Sequence, residues 1–180
     1  MIKLPNKKYK IIYADPPWSF KVWSTATGSK RSAEIHYQTM TPKDISKMNV
    51  QSIADNNCTL FMWVTYPCLE QGLQTIKDWG FTYKTCAFTW VKRNKKSPSW
   101  FWGMGYWTRS NPEICLLATK GNPKRISAKV HSVVDSRIAR HSEKPAEVRN
   151  RIVELMGDVS RIELFARQTV AGWDCWGNEV

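Results

Sequence analysis

Short apolar runs alternate along the chain with stretches in which apolar side chains recur at helical spacing. The short runs predict buried strands, because they are rich in β-branched and aromatic residues and are bounded by polar or turn-forming residues. These runs cover residues 9–14, 59–65, 85–91, 113–119 and 161–166. Strands that alternate with helices predict an α/β domain, with a mainly parallel sheet and helices on its faces.

Three helices are predicted between these strands. The first begins near Pro42, with Thr41 as its N-cap and a proline at its first position. The second covers about 67–79 and the third about 145–156, and a glycine follows each of them. We find no internal repeat and no linker, so residues 1–180 are predicted to form a single domain.

Two polar, glycine-bearing stretches, 19–40 and 93–112, do not fit either pattern. Long loops in a compact domain are usually functional, so both are candidates for ligand binding. The second stretch contains three tryptophans near its centre, Trp100, Trp102 and Trp107, together with glycines and flanking bases. It is interpreted as a loop that stacks on nucleobases, with a hydrophobic plug or partner surface as the alternative.

The first predicted strand ends in Asp15-Pro16-Pro17-Trp18, where each residue type suits a planar amine. Asp15 offers acceptor oxygens, the prolines form a stiff backbone without N–H groups, and Trp18 offers a flat ring. The lone pair of an adenine amine is delocalised into the ring, and two placed acceptors would localise it toward an electrophilic methyl group. Catalysis would then be mostly positioning. A proline turn that only ends the strand is the alternative.

The charge balance favours a polyanionic partner. The chain has 27 Lys and Arg against 15 Asp and Glu, a net charge of +12 and a pI of about 9.6. Such a surface binds nucleic acid by neutralising phosphates, although a basic surface that only keeps the chain soluble is the alternative. Five scattered cysteines without a C-x-x-C pair predict neither a metal site nor a disulfide framework. We therefore expect a cytoplasmic protein, with no secretory signal and no membrane span.

Several further motifs occur in a fixed order after the first strand. With Asp15 to Trp18 they resemble the DPPW group of adenine N6-methyltransferases, the MT-A70 family. The matching segments are His36-Tyr37-Gln38-Thr39-Met40, Leu60-Phe61-Met62-Trp63-Val64, Trp90-Val91-Lys92, Asn111-Pro112-Glu113, Lys120-Gly121-Asn122-Pro123, His141-Ser142-Glu143-Lys144-Pro145 and Glu163-Leu164-Phe165-Ala166-Arg167. The resemblance implies a Rossmann-like class I methyltransferase sheet with an antiparallel edge formed within 113–135. It also implies a permuted order, with the catalytic motif N-terminal and the cofactor strand C-terminal.

The resemblance also implies which residues form the site. Asp15, Pro16, Pro17 and Trp18 are predicted to be catalytic, with Trp18 stacking on the target base and Asp15 and the Pro16 carbonyl accepting from its amine. The predicted S-adenosylmethionine site consists of Asp15, Tyr37, Lys144, Glu163, Leu164, Phe165, Arg167, Asn178 and Glu179. Lys144 and Arg167 are candidates for the cofactor carboxylate, Asn178 and Glu179 for its ribose, and Tyr37 for a gate. Substrate is predicted to contact Trp18, Lys92, Arg109 and Asn111.

The predicted activity is transfer of a methyl group from S-adenosylmethionine to the N6 amine of adenine in DNA. The preference for DNA comes from the small size of the chain and from the lack of the extra zinc-finger and partner-binding segments of the messenger-RNA enzyme, in which the chain resembles stand-alone bacterial or phage members of the family. Methylation of RNA adenosine is the alternative within enzymes. A nucleic-acid-binding subunit without catalysis is the alternative from another class, although the intact DPPW motif speaks against it. The sequence does not indicate the oligomeric state.

Overall fold

The computed structural model describes residues 3–19, 39–105, 107–140 and 143–180, and the predicted gate Tyr37 lies outside them. The strands are β1 (Tyr9–Ala14), β2 (Ala54–Val64), β3 (Thr82–Arg93), β4 (Glu113–Lys120), β5 (Val133–Arg137), β6 (Arg161–Leu164) and β7 (Asp174–Trp176). The α-helices are α1 (Pro42–Ser46), α2 (Leu69–Asp78) and α3 (Glu147–Met156). Short 3₁₀ turns, Val50–Ile53 and Tyr66–Cys68, precede β2 and α2.

The strands form one mixed sheet in the order β5-β3-β4-β2-β1-β6-β7. Within it, β4 runs antiparallel to β2 and β3, and the other described strands run parallel to one another. The predicted α/β class with a Rossmann-like, mainly parallel sheet is confirmed. The antiparallel strand lies inside the sheet, however, and the edge strand on that side is β5. This position arises because the chain turns back after β3, so that β4 pairs antiparallel beside it and also fills the space next to β2.

The predicted permuted order is visible in the pairing of the first strand. β1 lies between β2 and β6, with Ala14 opposite Met62 on one side and Leu164 on the other. The strand that ends in the DPPW motif and the strand predicted to contact the cofactor are therefore direct neighbours, although they come from opposite ends of the chain.

The helix boundaries follow the predicted caps. The Thr41 hydroxyl accepts from the Asp44 amide at 3.2 Å, and this bond caps α1. Gly80 and Gly157 follow α2 and α3 with φ of +80° and +93°, a conformation that favours glycine. α2 and α3 each begin two residues later than predicted, α2 because the 3₁₀ turn comes first. Among the described residues, no helix is long and apolar enough to cross a membrane.

Each face of the sheet has its own hydrophobic core. One contains Ile45 of α1 and Ile76 of α2. The other is covered by α3, and to it the strands contribute Tyr13, Trp90 and Cys115. Successive side chains of a strand point to opposite faces. Asp15, Lys92 and Glu113 lie two positions from these three residues, at the end of the sheet where β1 ends. They consequently face α3 as well. They are all charged.

Candidate active site

Those charged residues converge at the edge of the sheet where the parallel strands end. Asp15 follows β1, Lys92 is near the end of β3, and Glu113 begins the antiparallel strand β4. Lys144, from the segment before α3, reaches the same edge. Ligands of open α/β sheets bind at the carboxyl ends of the strands, so this edge is the expected place for a site.

The four side chains form a continuous line of alternating charge, which we call the ionic row. Lys144 Nζ lies 2.9 Å from Asp15 Oδ2 and 3.3 Å from Glu113 Oε2. Lys92 Nζ lies 2.5 Å from Glu113 Oε1. The Lys144 side chain is 8% exposed, whereas that of Asp15 is 25% exposed. Asp15 is also the more exposed of the two ends of the row, because Lys92 at the other end is 15% exposed.

Burial and neighbouring charges separate the two acids of the ionic row. Burial raises the pKa of Asp15 above its usual value, against the opposing effect of Lys144. Burial acts on Glu113 in the same direction, but Lys144 and Lys92 outweigh it and lower the pKa of Glu113 to about 2. For Lys144, burial would lower the pKa, but Asp15 and Glu113 together raise it. Asp15 is accordingly the acid of the row that takes up a proton first as the pH falls.

The rest of the DPPW motif is held by hydrogen bonds of its own. The Pro16 carbonyl accepts from the Trp18 amide at 2.8 Å, and the Pro17 carbonyl accepts from the Met40 amide at 2.9 Å. The Trp18 indole N–H donates to the Trp63 carbonyl at 3.0 Å, and only 4% of this residue is exposed. Trp18 packs into the core on the face of α1 and α2. It therefore offers no open ring face, and the predicted stacking on a base is not the arrangement seen here.

A strained corner lies directly beside Asp15. Phe165 follows β6 with φ of 62°, a left-handed conformation that costs a non-glycine residue about 1 to 2 kcal/mol. The Asp15 amide lies 3.4 Å from the Leu164 carbonyl, and the Ala166 amide donates to the Trp176 carbonyl at 3.0 Å. Gly177 lies so close to the Ala166 backbone that no side chain would fit there. The corner is thus held between β1 and β7.

This corner gathers part of the predicted cofactor set. Phe165 is half-buried against Trp176, with ring centroids 5.6 Å apart. Arg167 Nε lies 3.7 Å from Glu179 Oε1. Arg167, Asn178 and Glu179 are all exposed. The ends of β6 and β7 thus present a cation, an amide and a carboxylate at the Phe165 corner, whose Leu164 carbonyl faces the Asp15 amide.

Two other predicted cofactor residues are engaged elsewhere. Glu163 faces α3, where Arg149 donates to both of its carboxylate oxygens, at 2.6 and 2.7 Å. Their side chains are only 7% and 12% exposed. Leu164 is fully buried in the core on the opposite face. Alternation along the short strand β6 explains both positions, because each residue has a face of the sheet to fill.

The predicted substrate residues divide into two kinds. Asn111 is buried and braces the backbone, because its amide group accepts from the Lys92 amide at 2.9 Å and donates to the Phe101 carbonyl at 2.5 Å. Lys92 belongs to the ionic row, and its Nζ lies 5.2 Å from the Trp90 ring centroid. Arg109 is exposed and lies against Met104. Of these three, only Arg109 is presented to solvent.

Sequence reasoning missed Glu113 and Arg149. Glu113 stands in one of the motifs quoted above without a role, yet it lies two residues before Cys115 on a predicted strand, a spacing that directs it to the same face. Arg149 carried no signal, since its partner lies on a strand beyond its own helix. The described residues contain no group of His, Cys, Asp or Glu that could hold a metal ion.

Comparison with known proteins gives a family match over almost the whole chain. The MT-A70 family model matches residues 9–179. The Type II methyltransferase M.MunI of a Mycoplasma species is 36% identical over 99% of this chain and 80% of its own length. The N(6)-adenosine-methyltransferase catalytic subunit METTL3 of Homo sapiens is 28% identical to this chain, and the N(6)-adenosine-methyltransferase subunit METTL3 of Danio rerio is 29% identical. Each match covers 96% of this chain, which spans 28% of the length of either METTL3 protein.

Proposed function

Because the chain belongs to the MT-A70 family of methyltransferases, we propose that it transfers the methyl group of S-adenosylmethionine to the N6 amine of adenine in DNA. The observation that carries this proposal is the position of Asp15. It is the partly exposed acid at the end of the ionic row, and it lies beside the corner formed by Phe165 and the ends of β6 and β7.

Asp15 is suited to hold the amine of the target base. An ionised carboxylate accepts hydrogen bonds only, so it can take an N–H bond from the amine and turn the nitrogen lone pair toward an electrophile. The Pro16 carbonyl has one lone pair engaged by the Trp18 amide and a second one for the other N–H. Methylation makes the amine nitrogen strongly acidic, so its proton can leave to solvent afterwards and no strong base is required.

The residues at the corner match the chemistry of S-adenosylmethionine. When bound, the cofactor supplies an electrophilic methyl group on a sulfonium that leaves as a neutral thioether. Arg167 suits its carboxylate, Asp15 its ammonium, and Asn178 and Glu179 the ribose hydroxyls. The strained turn at Phe165 keeps these groups in one place before binding, which lowers the cost of ordering them. Tyr37 remains a predicted gate between cofactor and substrate.

Lys144 is better suited to Asp15 than to the cofactor. It is surrounded by two carboxylates, and its ammonium lies 5.6 Å from the ring centroid of Trp63. We propose that it keeps Asp15 ionised in a site where burial alone would favour the neutral acid. An ionised Asp15 is required in this scheme, because a protonated carboxyl would donate where the amine also donates.

DNA is favoured over RNA by a relative that matches this chain over most of the length of both proteins. That relative bears the designation Type II methyltransferase, and we take the designation to favour DNA. RNA is the second candidate, and the observation in its favour is the similarity to the METTL3 subunits, whose names specify adenosine methylation. In a duplex of either kind the amine is paired, so the base has to leave the helix or come from a single strand.

Incubation with S-adenosylmethionine and genomic DNA, followed by nucleoside mass spectrometry, tests the reaction. N6-methyldeoxyadenosine is expected, and it should be absent when Asp15→Asn replaces the wild-type protein. Matched DNA and RNA oligonucleotides with a labelled methyl donor then test the substrate, and a strong preference for RNA would reverse our choice. Binding of nucleic acid without any methylated product would favour a non-catalytic subunit.

A further inference from the structure

The segment between β3 and β4 exposes large apolar side chains next to the ionic row. Trp107 is 98% exposed, Met104 79%, Trp102 61% and Trp100 39%. We call these four residues the aromatic platform. Isolated apolar side chains on a surface are ordinary, but a cluster of this size within one short segment indicates a binding surface.

The segment that carries the aromatic platform is basic. Residues 92–112 contain five Lys and Arg residues and no Asp or Glu. The five are Lys92, Arg93, Lys95, Lys96 and Arg109. Open aromatic faces among cations are the combination that binds single-stranded nucleic acid, because bases stack on the rings while phosphates pair with the cations.

The base of the platform is held in a fixed arrangement. The Arg93 guanidinium lies 3.5 Å from the Trp100 ring centroid and covers one of its faces. Arg93 also makes two hydrogen bonds of 2.7 Å to the Asp135 carboxylate and one of 2.8 Å to the Pro98 carbonyl. The segment pairs with itself, since the Gly103 amide donates to the Ser110 carbonyl at 2.7 Å. A surface that is ordered before binding loses less entropy on binding.

The same segment is connected to the site. Asn111 bonds the Lys92 and Phe101 carbonyls, and Lys92 Nζ lies 5.9 Å from the Phe101 ring centroid. We propose that the aromatic platform stacks on unpaired bases beside the target adenine and so holds the strand from which that adenine is presented. This inference depends on the proposed function for its substrate, and it adds an unpaired strand as the state that is bound.

A second copy of this chain fits the surface poorly. In a two-fold interface the same patch meets itself, so the basic segment of one copy would face the basic segment of the other. Nucleic acid supplies the opposite charge and flat bases as well. A protein partner is therefore an outcome for the experiment to exclude.

Fluorescence anisotropy with labelled single-stranded oligodeoxynucleotides, in the absence of cofactor, tests the platform directly. Trp107→Ala and Trp102→Ala should each weaken binding about 10-fold, whereas Trp107→Phe should keep most of the affinity. Tyr83→Ala is the matched control, because Tyr83 is 43% exposed but lies at the opposite end of β3. It should bind like wild type.

Oligonucleotides with abasic sites separate stacking from phosphate contacts. The wild-type protein should bind abasic strands more weakly than intact strands. Trp107→Ala, which has already lost a stacking ring, should show little further loss of affinity when the bases are removed. The proposal would be overturned if Trp107→Ala and Tyr83→Ala changed the affinity equally. It would also be overturned if Trp107→Ala weakened binding to abasic strands as much as it weakens binding to intact strands. A change in sedimentation of Trp107→Ala with unchanged oligonucleotide affinity would assign the surface to protein association instead. Binding with these properties but without methyl transfer would leave the platform standing and remove the proposed activity.

Discussion

Arg149 and Glu163 form a closed ion pair, whereas the ionic row, on the same face of the sheet, has an open end. In the pair, both carboxylate oxygens accept from one guanidinium, and both side chains are almost completely buried. In the row, two lysines alternate with two acids, and Asp15 at the end is 25% exposed. The difference suggests that the pair joins α3 to β6, while the row holds an acid ready for a ligand.

The closed pair and the ionic row also differ in how their charges affect stability. A buried pair with satisfied hydrogen bonds costs little until one partner is removed, which leaves an unpaired buried charge. In the row, the raised pKa of Asp15 indicates that its charge is disfavoured where it stands. A group that destabilises its own surroundings is often retained for function, since active sites are where such shifts accumulate.

The largest effect is expected at Asp15. Asp15→Asn should lower kcat/KM about 1000-fold, because one acceptor of the target amine becomes a donor in the position that orients it. The Tm of the variant should be unchanged or higher, because the substitution removes a charge that burial disfavours. Asp78→Asn, an exposed acid at the end of α2, is the control and should leave kcat/KM unchanged. Normal turnover by Asp15→Asn would refute the assigned role.

Breaking the closed pair should instead destabilise the fold. Arg149→Ala leaves Glu163 charged and buried, which typically costs about 3 kcal/mol or more of the free energy of unfolding. The double variant Arg149→Met with Glu163→Leu should recover most of that loss, because apolar groups of similar size replace both charges. Urea unfolding measures both changes. Cofactor affinity weakened by the double variant at unchanged stability would return Glu163 to the cofactor site.

The sequence was sufficient for most of the sheet but not for its outer strands. Five apolar runs correspond to β1, β2, β3, β4 and β6. β5 and β7 were missed for different reasons. β5 has one buried residue, Val134, between exposed neighbours, and β7 has only three residues. Edge strands of this kind are stabilised by pairing with a neighbour, a contact that no local pattern reveals.

The site was predictable to a similar degree. The DPPW motif marked Asp15, and alternation along the strands could have directed Lys92 and Glu113 to the same face. The bond from Lys144 to Asp15 joins residues 129 apart in sequence, so only the fold brings them together. The inward turn of Trp18 is held by one local hydrogen bond, from its amide to the Pro16 carbonyl, and by a second from its indole to the Trp63 carbonyl, 45 residues away in sequence. The planar residue beside Asp15 therefore predicted stacking on a base, whereas the contacts that the structure describes for Trp18 are in the core.

A smaller effect is expected at Glu113, where the contribution of the ionic row to the free energy of unfolding should depend on pH. Its folded pKa of about 2 lies below the ordinary value of 4.5, so its contribution to stability is present above pH 4.5 and is lost as the pH falls toward 2. Glu113→Gln should lower the free energy of unfolding by about 2 to 3 kcal/mol at pH 6 and by much less near pH 2. Glu147→Gln, in a partly exposed pair on α3, should show little effect at either pH. A parallel shift of the Glu113→Gln curve at every pH would contradict this prediction.

The smallest effect is expected on substitution of Lys144. This substitution distinguishes a residue that keeps Asp15 ionised from one that binds the cofactor carboxylate. If its ammonium keeps Asp15 ionised, Lys144→Met should raise the pKa of Asp15 and move the acid limb of the kcat/KM profile upward by about one pH unit. Lys144→Arg should keep the limb near its original position, because the positive charge remains. If Lys144 instead binds the cofactor carboxylate, calorimetry should show weaker cofactor binding at all pH values while the limb stays where it was. The measured limb thus decides whether the buried cation acts on the acid beside it or on the cofactor.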